Sequence, residues 1–239
     1  MNERENIFGR IREALRVEAP MPGHPSPKTP AHPPGDASQT PLAGLDIGAT
    51  SARQWLPFVG PSFDEQLALF RKNAADLKAA FHLLENRQEL GSRLRELRDS
   101  EGWKKVGVHS GELTDFACAE LGVPVCRTDS GYQAGDLENC NAGITQCDAL
   151  VAQTGSVLLT SASAGGRALS VLPPHHVVLA RREQLIADLP ESFALLKQKY
   201  SSNYPSFISL ITGPSRTGDI ERILVLGAHG PRKLTIFCL

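Results

Sequence analysis

The residues best suited to hold or act on a small molecule are densest in the last hundred positions. An apolar run from Phe207 to Ile211 leads directly into Thr212-Gly213-Pro214-Ser215-Arg216-Thr217-Gly218-Asp219-Ile220-Glu221. Thr217 is placed to cap a helix, with Asp219 and Glu221 in its first turn, Ile220, Ile223 and Leu224 on its inner face, and Gly227 at its end. Ser215, Arg216 and Thr217 would then gather hydroxyls, a guanidinium and free backbone N–H groups at the carboxyl end of a strand. That combination suits an anion, with Arg216 as the charged anchor. A capped helix with an exposed arginine accounts for the same residues equally well.

Three further groups carry side chains of the same kind. Thr154-Gly155-Ser156 lies between the apolar runs Ala149 to Ala152 and Val157 to Leu159. It reads either as a hairpin turn, with Gly155 supplying the positive φ, or as two hydroxyls at the edge of a site. Arg167 follows two glycines and is either a solvated charge or a planar anchor for an anion. His176, behind Pro173-Pro174-His175, sits at a strand entrance, where its ring fixes backbone groups or faces a ligand, and His229 stands in the tight turn before the last strand.

The common catalytic signatures do not occur. No G-x-G-x-x-G follows a strand, and there is no H-E-x-x-H, G-x-S-x-G or C-x-x-C. Gly213 to Gly218 has the glycine spacing of a P-loop, but Asp219 stands where a lysine would hold phosphate. The gaps from Cys118 through Cys126 and Cys140 to Cys147 are seven, thirteen and six residues, unlike clustered thiolates for an iron–sulfur centre. The sequence therefore offers no metal site.

The elements that must position these residues alternate in type. Helical spacing covers residues 63–75, 86–99 and 112–121, and short apolar strands are expected at 105–108, 123–126, 149–152, 157–160, 176–180, 206–211 and 233–238. Several strands are apolar at successive residues, as strands covered on both faces are. The pattern predicts an α/β fold, a three-layer sandwich with a largely parallel sheet. Ahead of it, residues 1–17 read as an amphipathic helix with Ile7, Ile11 and Leu15 on one face and Phe8 beside them. Residues 18–60 read as a linker, with eight of the seventeen prolines between Glu18 and Leu42, too poor in large apolar residues to order itself. Residues 61–239 form the main domain.

Composition narrows the function classes. The chain has 239 residues, with 25 basic against 26 acidic side chains and a formal net charge of −1, which gives no basis for nucleic-acid binding. No apolar run approaches the ~20 residues of a membrane span, and the acid-containing start is not a secretory signal. Five cysteines, an odd number, with no export signal, fit reduced thiols in a cytoplasmic protein.

Thr154-Gly155-Ser156, Arg167, Leu172 to His176, Gly213 to Glu221 and Gly227 to Pro231, taken in order, resemble the signature blocks of the LUD domain, in its lactate utilisation protein C branch. The resemblance covers about residues 63–239, and Ile11-Arg12-Glu13-Ala14-Leu15 is similar to the family's start. It implies a fold like that of the NagB/RpiA/CoA-transferase group. It also implies an accessory subunit of a cytoplasmic complex that oxidises L-lactate to pyruvate. Two partner proteins would carry the iron–sulfur clusters, and this chain would bind no cofactor. It would contribute a small-anion site among Thr154, Gly155, Ser156, Arg167, His176, Ser215, Arg216, Thr217 and His229, or a docking surface that includes the first helix. A stand-alone enzyme on a phosphorylated or nucleotide-bearing substrate, and a carboxylate-sensing module without chemistry, are the alternatives.

Overall fold

The computed structural model describes residues 57–201, 203–217, 225–226 and 230–239. The amphipathic helix expected over residues 1–17 and the proline-rich stretch as far as residue 56 lie outside the described residues. Residues 50–239 form one compact unit.

Ser62 opens α1 (Phe63–Asp76) with a reciprocal cap: its hydroxyl accepts from the Glu65 N–H, and the Glu65 carboxylate accepts from the Ser62 N–H. After β1 (Ala80–Leu83), Asn86 caps α2 (Arg87–Glu101), which ends at Gly102 in the left-handed conformation. Then follow β2 (Val106–Val108), α3 (Glu112–Leu121), β3 (Val125–Arg127), the short α4 (Ala134–Glu138) and β4 (Ala142–Gln146). β5 (Ala149–Val151) and β6 (Ser156–Thr160) precede a single 3-10 turn at Ala168–Ser170, and β7 (His175–Ala180) follows it. The chain continues through β8 (Leu185–Ile186), α5 (Leu189–Tyr200), β9 (Ile208–Ile211), β10 (Arg216–Thr217), β11 (Val225–Leu226) and β12 (Lys233–Cys238).

Six strands form one wholly parallel sheet in the order β1-β12-β7-β4-β2-β3. Helices α2 and α3 cover one face through Leu90, Leu94, Leu113 and Ala117. The fold is thus α/β with a largely parallel sheet, as the sequence predicts. Its second face is covered differently from a plain helical layer. The strands expected at 149–152, 157–160 and 206–211 leave the main sheet and build a second one, in the order β8-β5-β6-β9. The cause is connection length: Gln153 to Gly155 is a tight turn, too short for a crossover, so β5 and β6 pair antiparallel. Phe70 and Ala74 of α1 pack beside this sheet against the larger one, and α5 covers its outer side through Leu196.

β7 lies at the centre and is buried throughout. Its alternation sends Val177 and Leu179 to the helical face and Val178 and Ala180 towards the second sheet. The same alternation separates the two neighbouring histidines: His175 stands edge-on to Trp103 under the helices, with ring centroids 5.3 Å apart, while His176 faces the second sheet. No helix among the described residues is long and apolar enough to cross a membrane.

Candidate functional site

A cavity of about 260 Å³ opens on the side where His176 faces the second sheet. Its far wall is built by period-2 alternation in and just before β9, which brings Phe207, Ser209 and Ile211 to one side. Its near wall is His176 on β7 and Leu234 beside it on β12. Gly213, Pro214 and Ser215 close one end. Gly213 has φ 83°, a conformation favouring glycine, and a Cβ there would come 2.5 Å from the Leu77 carbonyl oxygen. The Ser215 N–H donates to the Pro231 carbonyl at 2.9 Å, which ties this loop to the turn before β12. The cavity therefore lies at the amino ends of β7 and β12, not at the carboxyl edge of the parallel sheet.

His176 is 1% exposed, and its Nε2 lies 2.9 Å from the Thr145 hydroxyl on β4. Its Nδ1 is buried and has no hydrogen-bond partner among the described residues. Burial, with a smaller contribution from neighbouring His175, pushes its pKa down to about 3, so the ring is neutral at physiological pH. His175 repeats the arrangement on the other face, with Nε2 2.9 Å from the Thr235 hydroxyl and Nδ1 unpartnered. Burial lowers its pKa to about 4. A neutral imidazole donates or accepts one hydrogen bond through a free ring nitrogen, but it supplies no positive charge for an anion.

Of the residues singled out in the sequence, His176 and Ser215 meet in this cavity. Thr154, Gly155 and Ser156 form the β5–β6 turn, where Gly155 has φ 65° and a Cβ would come 2.8 Å from the backbone of α1. The turn still reaches the site indirectly, because Ser156 Oγ lies 2.8 Å from Thr212 Oγ1, one residue before Gly213. Arg167 lines a neighbouring hollow with Tyr132 and Leu172, which shares Val171 with the cavity. His229 lies outside the described residues.

Arg216 turns away from the cavity and donates to the Leu77 carbonyl at the end of α1. That helix has no basic residue in its last turn, so the guanidinium serves its carbonyl end. A helix opened at Thr217 would have to end before Val225, and residues 218–224 lie outside the described residues. Arg216 and Thr217 pair antiparallel with Leu226 and Val225, and a helix cannot include residues at both ends of that ladder. Replacing Arg216 with alanine should cost about 1 kcal/mol of stability, the typical worth of one exposed hydrogen bond. Urea denaturation checks this, and a loss above about 3 kcal/mol would mean the side chain does more than cap α1.

Sequence reasoning passed over Thr145, Ser170 and Ser209. Ser209 had a usable signal, a lone hydroxyl on the alternating face of an apolar strand. It also passed over Asp148, whose fully buried carboxylate accepts from Tyr200 at 2.7 Å and pairs with Lys199, fastening α5 to the β4–β5 turn. Among the described residues no group of three or more His, Cys, Asp or Glu is arranged to hold a metal.

A wholly parallel six-stranded sheet, backed by a smaller sheet and cut by a cavity between the two, defines an α/β domain of an identifiable type. The LUD domain family matches over residues 134–239. Proteins called "Lactate utilization protein C" align with the chain: that of Shouchella clausii is 30% identical over 179 residues, covering 72% of this chain and 78% of its own length. That of Bacillus licheniformis is 36% identical over 138 residues, 55% of this chain and 56% of its own, so the chain spans only about half of that relative. A crystal structure of a DUF162 family protein from Deinococcus radiodurans shares the fold, with a TM-score of 0.59 at 23% identity, covering 76% of this chain and 99% of that one. The chain belongs to the LUD-domain family, in its lactate utilization protein C branch.

Proposed function

We propose that this protein is an accessory subunit of a cytoplasmic system that oxidises L-lactate to pyruvate, with iron–sulfur clusters carried by two partner proteins. The observation that carries this reading is the kinship with proteins called "Lactate utilization protein C", at 30% identity over most of the Shouchella clausii protein. The chemistry supports it. Lactate oxidation releases two electrons and two protons, and ordinary side chains are poor hydride acceptors, so the acceptor must be a redox group. The thiols of this chain are poorly placed to hold one. Four of the five cysteines are buried, and burial pushes Cys140 and Cys238 up to about 11, far from the thiolate form that ligates iron. The subunit's own contribution is then a binding site or a docking surface.

Deleting the gene in a host without other lactate dehydrogenases should abolish growth on L-lactate and spare growth on pyruvate. A plasmid copy should restore it. Undiminished growth of the deletion strain on L-lactate would overturn the proposal. Co-expression with the two cluster proteins should give lactate-dependent dye reduction that this chain does not give alone, and robust turnover by the isolated chain would equally count against an accessory role.

A further inference from the structure

We infer that the open trough over β1 and β12, beside α2, docks one amphipathic helix of a partner protein, lying alongside α2 with its carboxyl end at Lys78 and Arg232. The first observation is that one face of the large sheet is short of a helix. Six strands about 4.8 Å apart span about 24 Å, and packed helices lie about 8–10 Å apart, so such a face holds three. The described residues supply two there, α2 and α3, packed over the strands from β3 to β7. Over β1 and β12 the same face lies open as a hollow of about 750 Å³, walled by Leu97 and Ser100 of α2 and unwalled beyond the edge strand β1. Its floor is Ala80 and His82 of β1 with Thr235 and Phe237 of β12, and the His82 ring stacks on Phe237 with centroids 5.3 Å apart. Small side chains at Ala80 and Thr235 let a helix approach closely, and the rings with Leu97 offer its apolar stripe a surface to bury.

The second observation is the charge at the amino ends of β1 and β12. Four cations and two acids line the trough, and both acids are taken: Arg93 pairs with Glu96 at 3.1 Å, and Lys233 holds both Glu101 oxygens at 2.7 Å. The side chains of Lys78 and Arg232 make no hydrogen bond or ion pair among the described residues. Helices that precede the strands of a parallel sheet bring their carboxyl ends to this edge, and each one there has its cation. The Leu77 carbonyl of α1 takes Arg216, while the last turn of α2 contains Arg98 and meets Lys233 at Glu101. A helix laid in the trough parallel to α2 would end at Lys78 and Arg232, whose charges favour its unpaired carbonyls and an acidic side chain near them. A small anion would use the two cations but leave the apolar floor uncovered, whereas a helix uses both. That the helix belongs to a partner rests on the proposed accessory role; the open face and its charges are read from this chain alone.

The test uses the full-length chain and the two iron–sulfur proteins of the proposed system, each purified. Hydroxyl-radical footprinting should show His82 and Leu97 reactive in the isolated chain and shielded when the complex forms. Ala80→Trp fills the trough from an exposed position and should abolish assembly. Lys78→Glu combined with Arg232→Glu should weaken it about tenfold, the worth of two cations at a helix carboxyl end turned to repulsion. These charges are exposed, so the double variant keeps the test alive if Ala80→Trp misfolds, and added salt should weaken the parent complex in the same direction. Lys72→Glu, on an exposed position of α1 across the sheet from the trough, is the charge control and should change nothing. Undiminished assembly by both folded variants would overturn the inference and leave the accessory role standing. Shielding of His82 in the isolated monomer would also overturn it, by assigning the trough to a segment of the same chain, and shielding only at high concentration would assign it to a second copy. The accessory role is read separately, from growth on L-lactate. If the parent chain assembles with neither protein while growth still requires the gene, the inference alone falls.

Discussion

At pH 5 the protein should unfold at a much lower urea concentration than at pH 7.5, with a stability loss of roughly 4 kcal/mol from two histidines alone. In the unfolded chain both titrate near 6.5. In the fold, burial holds His175 neutral down to about pH 4 and His176 down to about pH 3. Below pH 6.5 the unfolded state therefore binds more protons than the native state, and stability falls as pH falls. The contribution is intact above pH 6.5. It drains away down to pH 3–4, where both states are protonated and the loss levels off. At pH 5 each histidine accounts for roughly 2 kcal/mol. His109, also lowered mainly by burial, adds in the same direction. Glu101 beside His175 opposes its shift and Lys233 reinforces it, but burial outweighs both. His176→Phe should shrink the difference between pH 7.5 and pH 5 by about half of the two-histidine sum. Equal urea midpoints at the two pH values would show that neither ring is buried as described.

The two histidines also show what could be read from the chain and what could not. Pro173-Pro174 ahead of the strand expected at 176–180 marked a buried strand entrance, and β7 begins one residue earlier, at His175. Alternation then required the two rings to face opposite ways. That the Thr145 hydroxyl would meet His176 could not be read, because the contact spans 31 residues and depends on which strand lies beside β7. Arg216 teaches the same lesson more sharply. Its charge was legible, but its direction was set by a carbonyl 139 residues earlier in the chain. The helix expected from Thr217 to Gly227 rested on caps and acidic residues, which are local signals. The pairing of Thr217 with Val225 is a contact that local signals do not encode. Short connections were the reliable guide: the Thr154-Gly155-Ser156 turn fixed the antiparallel β5–β6 pair, although not that it would found a separate sheet. The walls of the cavity come from widely separated segments, so of its polar side chains only His176 and Ser215 were singled out in advance.

The other large effect should come from Gly143→Ala. Gly143 lies on β4 directly beside His176 of β7, and Gly107 of β2 lies beside Gly143. Partners in a parallel ladder share a face, so these two glycines leave a trough next to the histidine. The 3-10 turn at Ala168–Ser170 sits in that trough. A Cβ on Gly143 would come 2.1 Å from the Leu169 carbonyl oxygen and 3.1 Å from Pro173, and at Gly107 it would meet Leu137 and Leu169 side chains instead. The distinction decides the size of the effect. A side chain at Gly107 has flexible ends to displace, whereas at Gly143 the obstacle is backbone held between Arg167 and Pro173, and the whole turn must lift. The expected cost is about 3 kcal/mol, the upper part of the usual range for overpacking. For a domain of this size that lowers Tm by roughly 6–12 °C. Because Ser170 and Val171 ride on the same turn, the cavity should deform with it, and the His176 resonance should shift without any ligand present. Gly135→Ala is the control, since a Cβ there meets nothing within 4 Å. It should leave the His176 resonance unchanged and hold or slightly raise Tm, since alanine is favoured over glycine in a helix by up to about 1 kcal/mol. If Gly143→Ala proved equally silent, the turn would not be seated on β4, and Ser170 and Val171 would have to be held at the cavity by something else.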